Sequence, residues 1–288
     1  MQKRIGLLVA GFLFPFIFAL GNCPDRDSLW KKLIYLRDSS TATPASQLQE
    51  LLQYEKDIQG CPDAADSTHA LLLQRIGATY SRLGDYIRAV HYARQSILLI
   101  SSQAGSPAIN VSQNIRNYYL LYVCYEALNH FNDKMDALDS IITISIRTKS
   151  VDRICLMGIY KRVEYFYDVG DFQRCINYIS MGESVTRRYV HGKDSVGYIF
   201  YFLSRNVWIQ IILDHFDYAK QLLANKEVEC RKLGAENCLG TIYNQLAEVE
   251  IHEKEYNKAL QHYQQAIKFE QLYGGELNCK EILNNIGN

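Results

Sequence analysis

Ala70–Ser102 reads ALLLQRIGATYSRLGDYIRAVHYARQSILLISS, and this stretch decides the fold. Its apolar and small residues fall at Leu73, Ile76, Gly77 and Tyr80. After Gly84-Asp85 they resume at Tyr86, Ala89, Ala93 and Ser96. Steps of three and four put residues on one face of an α-helix, so the stretch is two helices broken by a turn. Gly84-Asp85 makes that turn and Tyr86 plugs the hairpin. The absent side chain at Gly77 lets the second helix approach the first, and Ala89 occupies the close helix contact.

The same wording recurs along the chain. Tyr243-x-x-Leu246-Ala247 is followed by Tyr256, Ala259, Tyr263 and Ala266. Three weaker copies keep the turn and its aromatic: Asn129-His130-Phe131, Gly170-Asp171-Phe172 and Asp214-His215-Phe216. The aromatics Tyr86, Phe131, Phe172, Phe216 and Tyr256 are spaced by 45, 41, 44 and 40 residues, a periodicity that marks a repeat array. In the last full unit Tyr256, Leu260, Tyr263, Ile267 and Phe269 are expected on one apolar stripe, with Lys258, Gln261 and Gln265 opposite. Upstream, Ser28–Arg37 and Ala45–Ile58 read as a further helix pair, joined by a Ser/Thr-rich linker from Asp38 to Pro44. At the other end Leu283-x-x-Ile286-Gly287 starts like Leu73-x-x-Ile76-Gly77, as though a further repeat begins there. Without a polar capping helix, that end is expected to expose apolar surface and to self-associate.

The first residues follow a different logic. Lys3 and Arg4 precede an apolar run from Ile5 to Leu20, and Ala19-Leu20-Gly21 is a small-x-small cleavage pattern. This predicts a Sec signal peptide over 1–21 and a periplasmic or secreted protein. An uncleaved anchor is the alternative. Leu20-Gly21-Asn22-Cys23 also resembles a lipobox, which would make Cys23 a lipidated first residue. Cys23-Pro24-Asp25 and Cys61-Pro62-Asp63 repeat one tripeptide at an interval of 38, so export would permit a Cys23–Cys61 disulfide, and that bond excludes lipidation of Cys23.

The expected architecture is all-α: a right-handed α-solenoid of antiparallel helix pairs. Its expected parts are a signal peptide at 1–21, a capping or degenerate helix pair at 22–66, about five repeats at 67–276, and the start of an incomplete repeat at 277–288.

Leu73-x-x-Ile76-Gly77-x-x-Tyr80 with Gly84-Asp85-Tyr86 and Ala89 resembles the tetratricopeptide repeat (TPR) family nearly place for place. The resemblance covers about 70–288, closely in two copies and loosely in three. Signal-bearing arrays of this style are similar to N-terminal regions of Bacteroidota proteins that continue into a CHAT peptidase domain, a histidine kinase or a DNA-binding regulator. The family resemblance implies a binding scaffold whose first helices line a concave groove. Placed on this sequence, the groove takes Gln74, Ala78, Ser81 and Arg82, then Tyr119, Val123 and Glu126, then Tyr160, Glu164 and Tyr167, then Ser204 and Trp208, then Asn244, Glu248 and His252. Such tyrosines either anchor a partner or pack between repeats.

Chemistry of other kinds finds little footing. His252-Glu253-Lys254-Glu255-Tyr256 lacks the second histidine of a zinc-protease helix, and Gly192-Lys193-Asp194 lacks the leading glycine and hydroxyl of a phosphate loop. No two cysteines form a C-x-x-C pair, and Cys124 and Cys175 fall at helix-packing positions. The 31 basic and 31 acidic residues cancel, which gives no pull toward nucleic acid or an anionic membrane. The expectation is a non-catalytic scaffold with no cofactor, metal or nucleic-acid partner. It would hold a protein or peptide and touch a membrane only through a lipidated Cys23 or an uncleaved leader. The alternative expectation is the sensing or regulatory arm of a longer signalling protein or CHAT-type protease.

Overall fold

A computed structural model of the chain describes residues 23–38, 41–59, 61, 66–102, 107–190, 193–273, 280 and 282–285. The leader at 1–21 lies outside them, as do Cys279, Ile286 and Gly287. The chain divides into two compact units, Met1–Leu128 and Asn129–Asn288. The first holds α1 (Arg26–Asp38), α2 (Pro44–Gln59), α3 (Ser67–Arg82), α4 (Tyr86–Ser102) and α5 (Pro107–Ala127). The second holds α6 (Phe131–Thr148), α7 (Arg153–Asp168), α8 (Phe172–Tyr189), α9 (Lys193–Ile212), α10 (Phe216–Lys232), a 3-10 turn at Glu236–Cys238, α11 (Leu239–His252) and α12 (Tyr256–Tyr273). A short helical stretch follows at 282–285. Within each unit, helices pack on their neighbours in sequence, most extensively α3 on α4 and α11 on α12. The expected all-α fold of antiparallel helix pairs is the one observed.

One local device recurs at every short turn. Two residues before each of the five aromatics the backbone enters the left-handed region: Gly84 (φ 81°), Asn129 (57°), Gly170 (74°), Asp214 (57°) and Lys254 (65°). A left-handed residue past a helix end lets the next amide reach back over the last turn. Asp85 N donates to Tyr80 O (3.0 Å), Asp171 N to Phe166 O (2.9 Å), His215 N to Gln210 O (2.8 Å) and Glu255 N to Glu250 O (2.8 Å). Where the turn is Gly-Asp, the carboxylate then caps the following helix. Asp85 accepts from Arg88 N at 3.0 Å and Asp171 from Arg174 N at 3.1 Å.

The second helix of each pair buries a stripe at the third, seventh, tenth and fourteenth residues after its aromatic. In α4 these are Ala89, Ala93, Ser96 and Ile100; in α8, Cys175, Ile179, Gly182 and Thr186; in α12, Ala259, Tyr263, Ala266 and Glu270. The stripe of α10 is Ala219, Leu223, Lys226 and Cys230. In α6, Leu138, Ile141 and Ser145 are buried while Lys134 is only half-buried. The third place is small in four of the five helices, Ala89, Cys175, Ala219 and Ala259, which lets two helix backbones close on each other. At Gly77 an added Cβ would stand 3.1 Å from Ala89 O and 3.2 Å from Leu120 Cδ2.

The aromatic expectation needs correction on this point. Tyr256 is 61% exposed, Phe131 44% and Leu260 43%, so α12 buries its alanine face and not the stripe through Tyr256 and Leu260. As first residues of their helices, the aromatics lie at the rim of the hairpin, where Tyr86, Phe172 and Phe216 are half-buried and Phe131 and Tyr256 exposed. Phe131 nevertheless meets Tyr165 (centroids 5.1 Å) and Phe172 meets Tyr167 (6.2 Å). At the end of the chain, Ile282 is buried against α11 and α12 while Leu283 is 56% exposed, which reverses the part given to Leu283.

Cys23 and Cys61 are joined as a disulfide, with Cα atoms 5.7 Å apart. It ties the chain preceding α1 to the end of α2.

Candidate functional site

The first helix of a pair presents one face to its partner and another to the preceding pair, and what remains can meet solvent. In α3 little remains, because α1, α2, α4 and α5 all pack on it. Every residue from Ala70 to Gly77 is buried as a result. Gln74, expected in the groove, is 5% exposed and belongs to the packed interior. Only the last turn of α3 opens. Ala78, Ser81 and Arg82 line a pocket of about 420 Å³ with Gln47, Tyr119 and Val123. Arg82 is anchored there by donating to Gln47 Oε1 (2.5 Å) and Thr79 Oγ1 (3.1 Å). Tyr119 stacks on Tyr122, with centroids 6.2 Å apart. Glu126 is exposed one turn beyond and does not line this pocket.

In the second unit, Tyr160, Glu164 and Tyr167 occupy one face of α7, and the structure organises them around a residue that the sequence reading passed over. Arg205 of α9 lies 3.7 Å from Glu164 Oε1, with its guanidinium 5.1 Å from the Tyr167 ring centre. Tyr160 packs on Tyr201 with centroids 4.1 Å apart. Burial alone would raise the Glu164 pKa, but hydrogen bonds from Tyr160 and Lys161 and the charges of Lys161 and Arg205 bring it below the ordinary value. Tyr160, Lys161, Glu164 and Arg205 thus partner one another along this strip, where the tyrosines also pack against α9.

Trp208, Asn244 and Glu248 have a different setting. With Ser204, Gln245, Glu270 and Asn285 they line a pocket of about 450 Å³. Trp208 meets His252 edge-on at 6.2 Å. Glu248 Oε1 accepts from Tyr263 Oη (2.8 Å) and from Asn285 Nδ2 (2.9 Å). Gln245 is 6% exposed and donates through Nε2 to Ser204 Oγ, while its Oε1 and the Asn244 Oδ1 are buried without a hydrogen-bond partner. Glu270, 6% exposed, comes from the second helix of its pair. It fills the stripe position that is Ile100, Ser145, Thr186 and Cys230 in the other pairs. Its carboxylate has room because residue 240 is glycine: a Cβ there would stand 2.8 Å from Glu270 Cδ. Aligning the second helices by their aromatics would have flagged Glu270 as a carboxylate in a buried register.

Cys155 and Cys175 are poor nucleophiles. Burial pushes Cys155 and Cys175 up to about 11, so neither is a thiolate near neutrality.

Comparison with known proteins follows this geometry. The tetratricopeptide repeat family model matches residues 70–102 and 240–271, which are α3–α4 and α11–α12. No curated protein matches the chain. Among solved structures the chain is similar to BtubC (BKLC) from P. vanneervenii, at 11% identity and a TM-score of 0.52, over 81% of this chain and 93% of that one. It is also similar to the apo form of RapI, at 8% identity and a TM-score of 0.50, over 91% and 96%. A putative kinesin light chain from Podosopora anserina with TPR-like repeats aligns at 11% identity and a TM-score of 0.47, over 71% and 95%. Repeats of this family build protein-interaction scaffolds. Two helix pairs thus match the tetratricopeptide repeat model, at 70–102 and 240–271, and the pairs between them repeat the same turn and buried stripe.

Proposed function

We propose that the chain is a non-catalytic scaffold, exported to the periplasm or beyond, that holds a protein or peptide partner on the faces formed by its first helices. The observation that carries this reading is the pocket beneath Trp208. Asn244 and Gln245 line it, and their amide oxygens are buried and unpaired, a cost of about 1–3 kcal/mol each that donors of a ligand reaching them would recover. A large aromatic beside unsatisfied polar groups is how interfaces concentrate binding energy. The Cys23–Cys61 disulfide supports the exported location, because such bonds persist in oxidising compartments.

Site-specific photo-crosslinking in cells tests the binding face. A photoreactive residue at Trp208 or Tyr119 is expected to yield discrete polypeptide adducts, whereas one at Leu98 or Val228, exposed on second helices, yields none. Adducts of equal yield at all four positions would overturn the assignment. Cell fractionation with mass measurement tests export. The expected product is periplasmic or secreted and lacks residues 1–21.

A further inference from the structure

We infer that the pocket between α9, α11 and α12 is a receptor for a cationic side chain, the arginine or lysine of a bound polypeptide. The inference rests on the scaffold reading above and adds the chemistry of what this pocket recognises.

The first argument is charge. Among the described residues that line the pocket, the charged ones are the carboxylates Glu248 and Glu270, and none is Lys, Arg or His. The hydrogen bonds that Glu248 receives come from the neutral groups of Tyr263 and Asn285, so they leave its charge unbalanced within the pocket. A carboxylate withdrawn from water is stabilised by a cation brought to it.

The second argument is hydrogen-bonding capacity. Asn244 and Gln245 line the pocket, Gln245 is more than nine-tenths buried, and the Oδ1 and Oε1 of the two amides have no hydrogen-bond partner. The Asn244 and Gln245 amides and the Glu248 carboxylate make the lining rich in acceptors. A ligand that fits it brings several N–H donors and no acceptor, which describes guanidinium and ammonium.

The third argument is shape. Trp208 and Ile282 add apolar surface beside the acceptors, suited to the aliphatic stem of Arg or Lys, and the indole face favours a cation. Glu270 occupies the buried stripe of α12, and glycine at 240 leaves the room it requires.

The test uses the whole chain with Trp30→Phe, which leaves Trp208 as the sole tryptophan reporter. It is titrated with the capped heptapeptide Gly-Ser-Gly-Arg-Gly-Ser-Gly, with its Lys, Gln and Glu counterparts, and with spermidine. Saturable quenching by the Arg and Lys peptides in the millimolar range is expected, weakening as salt rises, with none from the Gln and Glu peptides. Glu248→Gln should weaken the Arg peptide at least about tenfold, the equivalent of about 1.4 kcal/mol. Because Glu248 also holds Tyr263 and Asn285, Asn244→Leu is the second variant. It removes an oxygen that has no partner in the free protein, so the fold is kept while affinity falls severalfold. Equal binding of the Gln peptide, an Arg peptide indifferent to both variants, or no saturable binding at all would overturn the inference. Binding of spermidine without the peptides would overturn the polypeptide source. Crosslinks at Trp208 in cells, together with failure of the Arg peptide, would leave the scaffold reading standing and remove only this refinement.

Discussion

The carboxylate of Glu270 rests on the bare Cα of Gly240, so close that no side chain could stand between them. Gly240→Ala should therefore displace Glu270 and cost about 1–3 kcal/mol of stability through overpacking. It should also weaken the arginine peptide severalfold. Thermal unfolding and the Trp208 titration measure the two effects separately. Unchanged affinity in a folded Gly240→Ala protein would detach Glu270 from the pocket's function.

Gly182 makes the purely structural comparison. A Cβ there would run into the Phe202 ring, 2.6 Å from Cε1, in a core that does not line the Trp208 pocket. Gly182→Ala should destabilise by a similar amount without altering the peptide titration in the protein that remains folded.

The left-handed turns give a prediction of opposite sign. Asp214 and Lys254 hold φ near 60°, a region that costs an L-residue about 1–2 kcal/mol and glycine little. Lys254→Gly is expected to stabilise by roughly 0.5–1 kcal/mol after the added flexibility of the unfolded chain is counted. Denaturant midpoints should rise for Lys254→Gly and fall for Gly170→Ala. A fall in both would mean that the turn geometry does not limit stability.

The pair of Arg187 and Glu229 sets an acid-sensitive contribution. Arg187 donates Nη1 to Oε1 (2.5 Å) and Nη2 to Oε2 (3.0 Å), joining α8 to α10, and Lys226 adds a third contact at 2.7 Å. The Arg187 hydrogen bond, against the opposing effect of burial, and then Lys226 hold the Glu229 carboxyl at about 2. A folded pKa below the unfolded value stabilises at higher pH, so this contribution is present above about 4.5 and is lost as pH falls toward about 2. The stability gap between the natural protein and Glu229→Gln should be widest from pH 5 to 7 and close below pH 3. A gap independent of pH would show that the pair acts by packing alone.

The disulfide should act locally. Closing the chain between Cys23 and Cys61 typically stabilises a fold by about 2–4 kcal/mol. Cys61→Ser should open α1 and α2 to limited proteolysis while α7–α12 stays protected. Cleavage spread evenly over the chain would contradict this.

How far the sequence could be read depended on how local each signal was. The turns were legible because a left-handed residue followed by an aromatic is written in three adjacent positions. The helix pairs followed from them. The buried faces were misread where size misled: in α12 the rings of Tyr256 look like core, yet Ala259 and Ala266 are buried because close helix contact selects small residues. Gln74 was misplaced because α3 is enclosed by four helices, a fact of tertiary packing that its own sequence does not encode. Half of the site was legible, since Trp208, Asn244 and Glu248 follow from the periodicity of first helices. Glu270 and Arg205 did not, because a charged residue at helical spacing reads as a solvated face until the opposing element is known.

The central claim is that the first-helix faces hold a polypeptide, and calorimetry of selected peptides tests it most directly. Random dodecapeptides enriched on the folded chain would be titrated into the natural protein, Trp208→Ala, and Val228→Ala on a second helix. The account predicts binding that Trp208→Ala weakens at least about tenfold and Val228→Ala leaves unchanged. Peptides that bind equally to both variants, or that lose affinity only with Val228→Ala, would contradict it.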